Sequence, residues 1–295
     1  MRPRDVIELA GLARALELGG IYNGAKLVRA VLERELLRLA DGRRPAAGEP
    51  AARALEDLAV RVDGDGEPDL ARALRAASEA SRRDTTLLLA DAPRVFTCRT
   101  CGHLAMVEAP ERCPRCEAPG VVFREHLAVW YLEPIPALEV LAELAAGPDR
   151  VDAIVASRDD DTLARRPRDM EWSARDTLEH FVTAEELLTL RVPRMLGEDN
   201  PLLVAAAAWA ATGDDTTTQT TRRASELAAR FRTLREETVV TLRELSDSQW
   251  ERSGRHPEWG TVTVRSQAAY FARHQASHMA QLAAAAKGRV PGETR

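Results

Sequence analysis

The chain has 295 residues, 45% hydrophobic and 29% charged, with a formal net charge of −5. That length allows about two domains with their own cores, and the charge balance gives no overall electrostatic case for a nucleic-acid partner. No secretory h-region follows Met1, and the longest apolar run, residues 201–211, is too short to span a bilayer, so a cytoplasmic protein without a membrane role is expected.

Residues 1–93 read as helices. Asp5 can cap a helix in which Val6, Ile7, Leu9, Leu12 and Leu16 recur at helical spacing until Gly19-Gly20 stops it. A second helix is expected over 23–39, with Leu27, Val28, Val31, Leu32, Leu36 and Leu37 as its buried stripe and Asp41-Gly42 as its end. Two more follow over about 51–62 and 68–89, joined by Asp63-Gly-Asp-Gly-Glu67. That joint is a solvated turn, since it lacks the remaining ligands of a calcium loop. The stretch contains neither His nor Cys, and nothing in it identifies what it recognises.

From residue 94 the character changes. All four cysteines, Cys98, Cys101, Cys113 and Cys116, fall in one 19-residue window as two C-x-x-C knuckles. Such a pair of knuckles brings four thiolates to one tetrahedral site, which Zn²⁺ or a single iron accepts. Gly102 and Pro114 suit tight turns that aim backbone N–H groups at the sulfurs. Disulfides fit poorly without a secretory signal, and two knuckles together point to ligation rather than to redox thiols. Val95-Phe96-Thr97 and Val121-Val122-Phe123 supply short strands. In so small a module a bound metal contributes on the order of 10 kcal/mol of apparent stability. A closed Cys₄ set is the usual structural zinc arrangement, so Zn²⁺ is preferred to Fe. Five arginines make the module locally basic, but Glu108, Glu111, Glu117 and Glu125 offset them and no aromatic cluster accompanies them, which argues against nucleic-acid binding.

Residues 137–288 read as four long helices. The first covers 137–157, with Gly147-Pro148 as the place where it would break. The second takes Ser173 as N-cap, with Asp176 completing a variant capping box, and runs to about Met195. The third is expected over about 220–245, and the fourth begins near Val264 and ends before Gly288. These lengths suit a four-helix bundle with one site built inward. Residues 201–211 are expected to lie as a covering segment, and 212–221 to form a Thr-rich loop with capping potential. His274 and His278 share one face of the last helix at i and i+4, so both imidazoles can point at one ion. Spacing alone leaves ligation and ordinary helix-boundary hydrogen bonding equally open.

Three segments carry a resemblance. RRPRDMEWSARDTLEHFVTAEELL runs from Arg165 to Leu188, FRTLREETVVTLREL lies in the third helix, and HPEWGTVTVRSQAAYFARHQASHMAQL runs from His256 to Leu282. In this order they resemble the DinB-like (YfiT-like) superfamily of four-helix metalloproteins, over about half the chain. The resemblance implies that His180, His274 and His278 bind a divalent metal, Zn²⁺ or Ni²⁺. It also implies thiol chemistry, since family members include transferases that use mycothiol or bacillithiol and a thiol-dependent maleylpyruvate isomerase. Three imidazoles would leave a coordination position for water or a thiolate. A turn-stabilising role is expected for His256. Glu179, Glu185 and Glu186 are candidates for supporting groups only by proximity, and solvated helix faces are their expected fate. A dimer is common among similar bundles, so a homodimer is allowed.

Residues 95–123, VFTCRTCGHLAMVEAPERCPRCEAPGVVF, look like the rubredoxin-type end of rubrerythrin, where four Cys hold an iron that passes electrons to a diiron bundle. Diiron bundles need Glu-x-x-His elements, and residues 1–93 have no His. That departure puts electron transfer in doubt. The expected protein is thus mainly α: a helical domain over 1–93, a Cys₄ zinc-ribbon module over 94–125, and a DinB-like four-helix bundle over 126–295. Three functions fit it. The first is a metal-dependent thiol S-transferase or hydrolase acting on a small-molecule thiol and substrate. The second is a non-enzymatic stress or interaction protein with structural metals, and the third a rubredoxin-like redox module.

Overall fold

The computed structural model describes residues 3–41, 45–168, 171–205 and 221–290. The chain forms two compact units, Met1–Thr85 and Thr86–Arg295. In the first, α1 (Pro3–Leu18) pairs with α2 (Tyr22–Asp41), and α3 (Glu49–Gly64) pairs with α4 (Pro68–Arg83). Both α3 and α4 carry a proline in the first turn, where a missing N–H leaves no intrahelical bond unmade. The expected end of α4 at residue 89 is too late. Asp84 enters the left-handed region at φ 51° and stops the helix at Arg83. The helices meet on small residues: Ala13, Ala25, Ala52, Ala59, Ala71 and Ser78 are buried, and Ser78 Oγ donates to the Ala52 carbonyl at 2.8 Å. Of the stripe expected to be buried on α2, Leu27, Leu36 and Leu37 are exposed, Leu27 at 65% and Leu37 at 64%, and Val28, Val31 and Leu32 are half-buried. Close approach over alanine leaves the long side chains beyond the line of contact. Gly42, expected to end α2, lies outside the described residues.

The second unit begins with a three-stranded antiparallel sheet in the order β2–β1–β3, formed by β1 (Val95–Cys98), β2 (Leu104–Met106) and β3 (Phe123–His126). In the register Cys98 faces Phe123 and Val95 faces both His126 and Met106. A bundle follows: α5 (Ala137–Val155), the short α6 (Asp160–Ala164), α7 (Ala174–Gly197), α8 (Ala224–Arg243), the single turn α9 (Asp247–Trp250), the hairpin β4 (Ser253–His256) and β5 (Gly260–Thr263), and α10 (Val264–Ala285). Around the bundle α5 neighbours α8 and α10, and α7 neighbours the same two, so α5 and α7 lie on a diagonal. The expected capping box is present: Asp176 N–H donates to Ser173 Oγ and Ser173 N–H to Asp176 Oδ2, both at 3.0 Å. At the start of α8, the Ala224 N–H donates to Asp160 Oδ1 of α6 at 2.6 Å.

Gly147-Pro148 does not break α5. A proline at 148 has no N–H for the Leu144 carbonyl, and Arg235 Nη1 of α8 reaches that oxygen at 3.5 Å instead. Arg235 belongs to a buried polar layer. Its Nε and Nη2 donate to Glu185 Oε2 at 2.9 and 2.5 Å, Nη1 donates to Gln275 Oε1 at 2.6 Å, and Thr238 Oγ1 donates to Glu185 Oε1 at 2.6 Å. Gly147 makes room for this layer, because a Cβ there would fall 2.3 Å from Gln275 Nε2. On one side lie Val140, Leu144, Leu188, Leu242 and Phe271; on the other Val151, Leu178, Phe181, Phe231 and Leu282. The core is therefore two apolar clusters with an ion pair between them. Leu203 N–H donates to the Arg255 carbonyl and Arg255 N–H to the Pro201 carbonyl, both at 2.8 Å, tying the start of the expected covering segment to β4. Residues 206–220, which include the rest of that segment, most of the Thr-rich loop and the expected start of the third helix, lie outside the described residues. Among the described residues no helix is long and apolar enough to cross a membrane.

Candidate metal centres

The four cysteines meet. Their Sγ atoms all lie within 4.8 Å of one another, with Cys98 and Cys116 at 3.8 Å and Cys101 and Cys113 at 3.6 Å. A tetrahedral zinc with Zn–S bonds of about 2.3 Å sets its sulfurs about 3.8 Å apart, so the donor set fits. All four are free thiols, Cys98 and Cys113 buried and the others half-buried. The two knuckles repeat one another: Cys98 N–H donates to the His103 carbonyl and Cys113 N–H to the Ala118 carbonyl, each at 2.8 Å. Each ends in a left-handed residue, Gly102 at φ 79° and Glu117 at φ 61°. Glycine takes that conformation freely, whereas a residue with a Cβ gives up about 1–2 kcal/mol. Burial alone would push the Cys98 thiol up; the N–H groups of Cys101 and Thr100 and the thiols of Cys101 and Cys116 outweigh it and bring it down to about 6. At Cys116 the Ala118 N–H acts downward, but burial and the neighbouring thiols outweigh it and push the thiol the other way, up to about 12. Amide donors aimed at sulfur favour the thiolate that a metal requires.

The three histidines also meet. His180 comes from α7, His274 and His278 from the neighbouring α10, and one nitrogen of each lies within 4.8 Å of the others. His180 Nε2 and His274 Nε2 are 3.1 Å apart. Two nitrogens on a tetrahedral ion with bonds of about 2.0–2.1 Å stand about 3.3 Å apart, so this pair can serve one ion with little movement. The rings converge edge to face, with centroids 4.6–5.0 Å apart. Burial pushes His180 down to about 4 and His274 to about 3, and the charge another protonated ring would bring acts in the same direction. Both are neutral at pH 7 and keep a lone pair for a metal. His278 Nδ1 lies 2.8 Å from Gln281 Oε1. An amide oxygen only accepts, so the proton sits on Nδ1 and Nε2 carries the free lone pair, the orienting bond usual for ligating imidazoles.

Aromatic rings wall the trio. Trp172 stacks on His278 at 6.0 Å and tilts over His180 at 4.9 Å, while Tyr270 stacks on His274 at 5.5 Å. Trp172 immediately precedes the Ser173 cap of α7, and Tyr270 stands one turn before His274 on α10. Neither was assigned a role from the sequence, although both sit inside the quoted motifs.

His256 stands apart from the trio. It is buried in the β4–β5 turn, where Glu258 and Trp259 N–H groups donate to Nδ1 at 3.2 and 3.3 Å and its ring stacks on Trp259 at 3.9 Å. This is a turn-stabilising arrangement. Burial and the neighbouring Arg191 bring it down to about 3. Glu186 pairs with Arg230 at 3.4 Å near the surface, while Glu179 is half-buried: one oxygen pairs with Arg222 and Oε2 is buried without a hydrogen-bond partner. Glu185, expected on a solvated face, is instead fully buried against Arg235. A signal for it was present: Leu178, Phe181, Val182, Glu185 and Leu188 recur at i, i+3, i+4, i+7 and i+10 along one stripe of α7.

Residues 143–282 match the family model described as the DinB superfamily. Among solved structures, YfiT from Bacillus subtilis, described as a probable metal-dependent hydrolase with an unusual four-helix bundle topology, is 23% identical with a TM-score of 0.44. That similarity covers 50% of this chain and 86% of the other. No curated protein matches the chain. The matched residues hold His180, His274 and His278, so the bundle in the C-terminal half of this chain is similar to the DinB superfamily.

Proposed function

We propose that the protein is a metal-dependent catalyst of thiol chemistry, in which His180, His274 and His278 hold Zn²⁺ or Ni²⁺ and a low-molecular-weight thiol is transferred to a small electrophile. The observation that carries the reading is the convergence of three imidazoles from two helices, two of them kept neutral by burial. Among the described residues no Cys or carboxylate joins that group, so a divalent ion held there keeps positions for an incoming reagent. When bound, the metal would supply a site that favours the thiolate over the thiol. The chain's own groups do the rest: Gln281 keeps the His278 proton on Nδ1, and Trp172 and Tyr270 stack on the His278 and His274 rings and help hold them in place. The Cys₄ module is read as a structural zinc site. Four reduced thiols suit a reducing compartment, in keeping with a cytoplasmic protein.

The test pairs metal content with a thiol panel. The parent protein should carry two equivalents of metal, and His274→Ala should lose one while keeping the metal at Cys98, Cys101, Cys113 and Cys116. Conjugation of an electrophilic bimane should require mycothiol or bacillithiol and disappear in His274→Ala. Full conjugation by that variant would end the proposal, and ester hydrolysis independent of any thiol would reassign the site as hydrolytic.

A further inference from the structure

The Cys₄ module returns to the bundle at the histidine face. Four residues past β3, the turn Trp130–Leu132 lies along α10. Leu132 is buried in the bundle core with Val129 and Ile135 against it. Arg273, the residue before His274, donates from Nη1 to the Trp130 and Tyr131 carbonyls at 3.2 Å each and to the Glu133 carbonyl, and its guanidinium lies 5.5 Å over the Trp130 ring. Tyr131 Oη donates to Ser277 Oγ at 2.9 Å, and Ser277 Oγ donates to the His274 carbonyl at 2.8 Å. Ser277 sits between the two metal-ligand candidates of α10. The Tyr131 ring stands edge-on to His274 at 6.2 Å and to Tyr270 at 5.7 Å. His274 is thus packed between a stacked tyrosine from its own helix and an edge-on tyrosine brought in from outside the bundle.

The module is tied down at its other end as well. Leu89 N–H donates to the Pro257 carbonyl at 3.0 Å, and Leu89 lies against Gly260 in the β4–β5 hairpin. Between the two ties, β1 ends in the ligand Cys98 and pairs with β3, from which the segment 127–133 departs. Thr97 Oγ1 lies 2.7 Å from His126 Nε2, and Arg94 holds Glu125 with two bonds at 2.6 and 2.7 Å, so the last residues of β3 are fixed to β1 by side chains also. Order at the cysteine knuckles is order in the strand that launches the Trp130 turn.

We propose that segment 130–133 is a strap forming one wall of the three-histidine site, that Tyr131 is the residue that positions His274 there, and that the Cys₄ module holds the strap in place. The inference rests on the reading that the trio binds a metal. It makes the two metal centres unequal partners: the first builds a wall of the second. Without the knuckles, some forty residues between Leu89 and Trp130 become a flexible loop, and the strap docks only through its own contacts.

Co²⁺ alone is the probe, added to the full-length protein, with sulfur charge-transfer bands marking the Cys₄ site and their absence marking the histidine site. Tyr131→Ala should weaken Co²⁺ at the trio about 10-fold in chelator competition, the usual scale for an orienting partner of a ligand. Tyr131→Phe keeps the ring and should recover most of the loss. Cys116→Ser should speed amide exchange across 127–133 and lower trio affinity several-fold, with the helical signal of the bundle retained. Parent-like affinity in Tyr131→Ala, or unchanged strap exchange in Cys116→Ser, overturns the inference. If the parent trio takes up no Co²⁺, the functional reading fails instead, and the strap exchange alone then decides whether the module holds this segment.

Discussion

The two helical regions use the same element and reach different ends. In the first unit, α1 to α4 meet over alanine and serine, and residues such as Leu27 and Leu37 stay in water. In the bundle, α5, α7, α8 and α10 interlock leucine, valine and phenylalanine around a buried ion pair. Burial of large side chains supplies roughly 1.5–3 kcal/mol each, and the bundle has many of them. That surplus lets it carry features that cost free energy: a desolvated Glu185–Arg235 pair and two histidines held neutral at one face. The first unit buries mainly alanine, and most of its ion pairs are at the surface, although Glu35 is buried against Arg34 and Arg38. The three candidate histidine ligands sit in the part of the chain with the larger apolar core.

The difference can be tested from its strongest point downward. Glu185→Ala leaves Arg235 buried beside Leu144 without its carboxylate, and stability should fall by about 3–5 kcal/mol in urea unfolding of the bundle. A fall below 1 kcal/mol would mean that water already solvates the layer. Acidification is the next largest effect. His180 and His274 titrate near 4 and 3 in the folded bundle, but near 6.5 when unfolded. The cost of keeping them neutral is negligible at pH 7 and appears only in acid. As pH falls below about 6.5 the unfolded chain takes up protons that the folded bundle refuses, so bundle stability declines toward pH 4. Segment-resolved amide exchange of metal-free protein at pH 7 and 5.5 should show this loss in α7 and α10. The first unit, Met1–Thr85, which lacks histidine, should show no such change.

Gly147→Ala comes third. Its methyl carbon would meet Gln275 Nε2 at 2.3 Å, and forcing the amide aside should cost about 1–3 kcal/mol, read as a lowered midpoint. The smallest effect belongs to the first unit. Leu37→Lys, at a site already exposed, should move stability by no more than about 0.5 kcal/mol; a drop beyond 2 kcal/mol would show that this leucine is covered in solution.

Much of the bundle was legible in the sequence because periodicity and capping are local signals. Ser173 and Asp176 declared the start of α7, and the i, i+4 spacing put His274 and His278 on one face. The cysteine knuckles were legible for the same reason. What escaped were contacts between residues far apart along the chain. Tyr131 precedes His274 by more than 140 residues, and nothing near it announces a role. Glu185 was read by its charge and not by its place in the stripe. The expected break at Gly147-Pro148 failed because the compensating donor, Arg235, comes from a different helix. The α2 stripe failed in the opposite sense: periodicity says which residues share a face, not whether anything covers it.

Pro148 has a consequence for how the core can change. Elsewhere, exchanging a buried ion pair for apolar residues of matching volume is often harmless. Here that exchange would also strand the Leu144 oxygen, since position 148 has no amide hydrogen and Arg235 is the donor that reaches it. Any successor to the arginine must satisfy a carboxylate on one helix and a main-chain oxygen on another. The restriction lifts only if residue 148 first regains an N–H, so the order of substitutions matters: the imino acid has to go before the guanidinium can.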